Sequence, residues 1–136
     1  MAVWIDPVFD RTEEDVAFAK EQIQAWITAQ LTGNPIETYE LKGCLNLTDI
    51  NRIEGNIRYL SDRLDELRYP PGTNCKTWVR SGMPTERDIR RILNNIKLII
   101  TAYYQQEGVS DVPESMETYT DINAIEENLY YIKHLV

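Results

Sequence analysis

The sequence predicts an all-α, four-helix domain built from two copies of a two-helix unit, and three observations predict it. Isoleucine and leucine recur at spacings of three and four in several stretches, which lays them along one face of a helix. Threonine followed closely by aspartate opens these stretches, in the manner of a helix N-terminus. The nine residues TDINRIEGN, 48–56, return as TDINAIEEN, 120–128, with seven positions in agreement. At 136 residues, 43% of them apolar, the chain is the size of one domain and can bury a core without staples.

The first helix opens at RTEED with Thr12 as cap and Asp15 three residues on, presents Val16, Ala19, Ile23, Trp26 and Ile27, and ends before Gly33 and Pro35. The second takes Thr48 as its cap, with Asp49 at the positive end of the helix dipole. Its stripe is Ile50, Ile53, Ile57, Leu60, Leu64 and Leu67, and Pro70, Pro71 and Gly72 stop it after Tyr69. Gly55, inside this helix, costs stability, and the natural reason is the close approach of another backbone. The third is capped by Thr85 with Asp88, buries Ile89, Ile92, Ile96 and Ile99, and ends at Gly108. The fourth takes Thr120 as cap, then Asp121, with Ile122, Ile125, Leu129 and Ile132 as its stripe.

The openings alternate, TExD in the odd helices and TDIN in the even ones, and the register agrees. Asp15 and Asp88 are 73 residues apart, Asp49 and Asp121 72. Trp4 with Ile5 and Trp78 with Val79 precede the odd helices. The expectation is a single domain holding an internal repeat, 1–74 and 75–136, divided near PPGTNC. Two helix pairs would then close on each other about a pseudo-two-fold axis, joined by long ordered linkers in which TYELKGCLNL and CKTWVRSGM form short extended segments.

The residues offer little chemistry. Asn56, Asn95 and Asn128 each lie six residues after the first isoleucine of a stripe, on the flank of the apolar face, where an amide ties down loop backbone. Glu54 and Glu126 are equivalent, but a carboxylate-bridged metal centre needs histidine three residues on, and neither has one. His134 is the only histidine, and Cys44 and Cys75 lack metal-site spacing and read as free thiols in a reducing compartment. No glycine-rich phosphate loop is present. These readings imply no enzyme, no cofactor and no metal. MAVWIDPVFD lacks the features of a signal peptide, and the longest apolar stretch, IKLIITAYY, is too short to span a membrane.

A net charge of −8 opposes binding to nucleic acid or anionic membranes. The charge is uneven: six basic residues against two acidic ones from Cys75 to Gln105, and seven acidic residues against Lys133 from Gln106 to Val136. Arg87, Arg90 and Arg91 concentrate the positive part on the third helix. Tyr103 with Tyr104 and Tyr130 with Tyr131 are adjacent pairs, and neighbours in a helix cannot both face one core, so one of each pair should reach the surface. These seven residues are the expected interface.

KGCLNLTDINRIEGNIRYLSDRL, Lys42–Leu64, resembles a segment recurrent in small tail- and baseplate-associated structural proteins of phages and prophages of Gram-positive bacteria. Lys42, Gly43, Leu45, Asn46, Asp49, Asn51, Arg52, Ile53, Glu54, Asn56, Ile57, Tyr59 and Leu60 match its KGxLNxxDLNRIExNIxYL pattern. The series Trp78, Pro84, Thr85, Asp88, Ile89, Arg91, Ile92, Asn95 and Ile96 is similar to its usual companion, and WIDPVFDRTEEDV and YTDINAIEENLYYI also fit, so the likeness covers most of the chain. Cys44 and Gly55 depart from the pattern. The resemblance implies a virion component that binds other virion proteins and further copies of itself, with no catalytic residues. A cytosolic phage-encoded module that binds a host protein is the alternative.

Overall fold

The computed structural model describes residues 2–79, 82, 84–103 and 109–136. Four helices follow along the chain, α1 (Glu13–Leu31), α2 (Leu47–Glu66), α3 (Glu86–Ala102) and α4 (Tyr119–Leu135), and no strand occurs among the described residues. The domain is all-α. The expected end of the third helix at Gly108 falls outside the described residues.

All four helices start by one rule: an aspartate at the third helical position turns back to accept the N–H of the cap residue. The pairs are Thr12 with Asp15, Asn46 with Asp49, Thr85 with Asp88 and Thr118 with Asp121. Two expected caps are therefore displaced by two residues. Thr48 lies in the first turn of α2, where its hydroxyl binds Glu40 at 2.7 Å, and Asn46 is the cap, its N–H donating to Asp49 at 2.9 Å. Thr120 likewise lies in the first turn of α4, its hydroxyl 2.8 Å from that of the true cap, Thr118. The physical reason is reach: a carboxylate beside the cap cannot fold back onto the cap's N–H, whereas one three residues on can.

The end of α2 also differs from the expectation. The helix stops at Glu66, before the prolines, because Arg68 takes a left-handed conformation (φ 69°). The N–H of Tyr69 then donates to the carbonyl of Leu64 at 2.8 Å, closing the last turn.

The core is formed by α2, α3 and α4, which pack on one another. Ile53, Ile57, Leu60 and Leu64 meet Ile92, Ile96 and Ile99 and Ile125, Leu129 and Ile132, all essentially without solvent exposure. Each such side chain contributes roughly 1.5–3 kcal/mol on leaving water. Trp78 and Met116 close the cluster from the linkers. Ile89, expected in the core, is only partly buried against it.

The first helix does not follow the expectation. Of its five expected inward residues only Ala19 is buried, Ile23 and Ile27 being 38% and 45% exposed. Its start is pinned where the linker crosses it: a side chain on Gly43 would collide with the backbone of Asp15 and Val16, and Lys42 pairs with Asp10 at 2.9 Å. Two backbones approach closely there. Gly55, where a close approach was expected, has open space where a Cβ would stand, and no other backbone approaches it.

Candidate interaction surface

Helix asparagines hold the non-helical segments down by their backbone. The Asn56 carboxamide accepts the N–H of Ile5 at 3.0 Å and donates to its carbonyl at 2.7 Å. Asn95 does the same to Asn74, at 3.1 and 2.8 Å, Asn51 to Trp78, at 2.7 and 3.0 Å, and Asn123 to Arg11, at 3.2 and 2.9 Å. Each amide offers one acceptor and one donor to the two polar groups of one residue, as a neighbouring strand would. Asn128 donates to the carbonyls of Ser110 and Ala124, both at 2.8 Å. Asn51 and Asn123 escaped sequence reasoning although both stand at the fourth position of the repeated nonapeptide.

Glu54 and Glu126, also equivalent in that repeat, are buried and each meets arginine. Glu54 accepts two nitrogens of Arg91, one at 2.9 Å, the indole N–H of Trp78, and the N–H of Lys76 at 3.1 Å. Glu126 accepts two nitrogens of Arg52, one at 2.9 Å, and one from Arg11 at 2.9 Å. Arg11 and Arg52 both continue to Asp49, at 3.1 and 2.6 Å, closing a buried set of two cations and two anions. Asp49 thus serves this network as well as its helix start. Burial acts to lower the Arg52 pKa, but the hydrogen bonds and charge of Glu126 and Asp49 outweigh it and raise it. The hydrogen bonds of Glu54 likewise raise that of Arg91. Such an arrangement fixes the relative positions of helices and linkers.

The two thiols are half-buried. Burial pushes both upward in pKa, with the carboxylate of Asp49 adding to the effect at Cys44 and that of Glu54 at Cys75. Neither is tuned as a nucleophile. Among the described residues no cluster of three or more His, Cys, Asp or Glu could hold a metal ion, and no helix is long and apolar enough to cross a membrane.

The seven expected interface residues separate. Arg87 and Arg90 are exposed on α3, Arg90 pairing with Glu86 of its own helix at 3.0 Å. Arg91 points the other way, into Glu54, because its place beside Ile92 turns it toward the core flank. It is a structural clamp, and its assignment to the interface is corrected. Tyr103, at the end of α3, is partly buried, meets Tyr69 edge-on at 5.5 Å and donates its hydroxyl to the carbonyl of Leu135 at 3.2 Å. Tyr130 and Tyr131 are both half-buried, their rings 5.2 Å apart, with Phe9 against Tyr130. Tyr104 lies outside the described residues.

Several apolar side chains of α1 are uncovered. Ile23, Ile27 and Leu31, four residues apart on one side of the helix, are 38%, 45% and 82% exposed, and Phe18, on the opposite side, is 50% exposed. Trp26 is half-covered by Tyr39, 5.2 Å away and edge-on, while Tyr39 itself is exposed.

No family model, curated protein or solved structure matches the chain.

Proposed function

We propose that this chain is a non-enzymatic structural or adaptor protein of a phage particle, a tail or baseplate component that acts through contacts with other virion proteins and with copies of itself. The observation that carries the reading is the apolar face of α1, left uncovered in a chain whose other helices are closed on one another. A protein whose task is assembly keeps such a face for its neighbours. The sequence pattern around KGCLNLTDINRIEGN supplies the class of particle. The buried carboxylates support a structural role, since their oxygens are taken by arginines and peptide N–H groups and do not open into a cleft.

The same reading takes residues 1–74 and 75–136 as two related halves of one domain. It is supported by Asn51 and Asn123, equivalent in the repeat and gripping linker backbone alike, and by Glu54 and Glu126, each engaged by arginine.

Mass spectrometry of purified particles tests the assignment. The chain is expected there in fixed stoichiometry with the tail proteins. Its absence from particles, with presence in the infected-cell lysate, would move the assignment to a host-binding regulatory module.

A further inference from the structure

We propose that residues 16–39, most of α1 and the segment that follows it, form an arm that melts and re-forms as one unit while the three-helix core and both ends of the arm stay in place. The proposal stands apart from the virion assignment.

The arm is defined by where its contacts go. From Val16 to Tyr39, every side-chain hydrogen bond, ion pair and ring contact among the described residues joins two residues of that same stretch. None of its side chains belongs to the central apolar cluster. At the far end the chain turns at Gly33, whose φ of 74° is left-handed, and the N–H of Asn34 returns to the carbonyl of Ala29 at 2.9 Å. The returning segment meets the helix again at Tyr39, whose ring stands edge-on to Trp26 and whose hydroxyl donates to the side-chain carbonyl of Gln22 at 3.3 Å.

Both ends are moored to the core. On one side Arg11 is buried with Asp49 and Glu126, and Asn123 accepts its N–H. On the other, Glu40 accepts the hydroxyl of Thr48, and Leu41 is buried with its carbonyl taken by Asn46 at 2.8 Å. Between these moorings little apolar surface leaves water, since Ala19 is the one buried residue of α1. A helix held by its own hydrogen bonds, its cap and one aromatic pair is marginal in water. The helices α2, α3 and α4 instead share a core that is lost only when the whole domain unfolds. Order in the arm and order in the core are thus maintained separately, and the arm has the lower opening free energy.

Hydrogen exchange of the full chain in low urea, read residue by residue by NMR, tests this. Amides from Ala17 to Leu31 are expected to exchange through an opening that leaves α2, α3 and α4 protected and that depends less on urea than core exchange does, because less surface is exposed. The N–H of Arg11, held by Asn123, should keep the protection of the core. Tyr39→Ala, at an exposed residue outside the core, should speed exchange across α1 by about tenfold and leave α2, α3 and α4 unchanged. Exchange of α1 only together with the core, with the same urea dependence, would overturn the proposal. So would a Tyr39→Ala variant in which α1 is unaffected or all four helices lose protection alike, and so would loss of the Arg11 N–H along with α1.

Discussion

Arg52 on α2 grips Glu126 on α4 with two nitrogens and reaches Asp49 with the same guanidinium, all three side chains buried. Removing one member leaves an uncompensated charge where water does not reach. Arg52→Ala is expected to destabilise the domain by about 3–5 kcal/mol in urea unfolding. Arg52→Met combined with Glu126→Leu is expected to recover much of that loss, because Arg11 and Asp49 remain as a balanced pair at 3.1 Å. Additive losses in the double variant would show that the two residues do not act on each other.

Arg90 and Arg91 are neighbours with opposite consequences. Arg90→Glu alters an exposed pair and is expected to change stability by less than about 0.5 kcal/mol. Arg91→Glu brings a carboxylate to the buried Glu54 and is expected to cost several kcal/mol, on the order of a broken buried pair. Thermal unfolding of the two single variants separates them, and equal melting temperatures would contradict the clamp.

The asparagine brackets should be unequal. Asn51→Ala frees the backbone of Trp78, whose ring is buried, and is expected to cost about 1–3 kcal/mol. Asn56→Ala frees that of Ile5, whose side chain is 56% exposed and where water can replace the lost bonds, so the expected cost is about 1 kcal/mol or less. Hydrogen exchange should show the amide of Ile5 unprotected in the second variant, and retained protection there would refute the bracket.

Arg68 holds a left-handed conformation that glycine adopts without strain. Arg68→Gly is expected to raise stability by roughly 0.5–1 kcal/mol. A decrease would mean that the Arg68 side chain contributes more than its backbone costs.

Both thiols are held above the ordinary thiol pKa by burial and a nearby carboxylate. Because the raised value favours the protonated form, alkylation by iodoacetamide should accelerate at a higher pH than for a free cysteine, and unfolding in urea should restore ordinary behaviour. Alkylation of the folded chain as fast as that of free cysteine at neutral pH would contradict this.

Much of the fold was legible because isoleucine spacing reports the buried face directly, and α2, α3 and α4 place their stripes in one core. The first helix misled because its apolar residues carry the same spacing whether the covering partner is in the chain or outside it. The caps of α2 and α4 differ from the expectation because threonine beside aspartate imitates a helix start, although the three-residue reach visible at Thr12 and Thr85 points to Asn46 and Thr118. At the candidate interface, Arg87 and Arg90 lie where helical periodicity puts them, whereas the inward turn of Arg91 depends on Glu54, 37 residues away. No local pattern encodes a pairing at that distance.

The carboxamides of Asn51, Asn56, Asn95 and Asn123 hold peptide groups, which are common to every residue type but proline. The tethered stretches can therefore exchange their outward side chains without losing their moorings. Natural drift, or a designed library, could rewrite what those stretches display while the scaffold beneath keeps its shape.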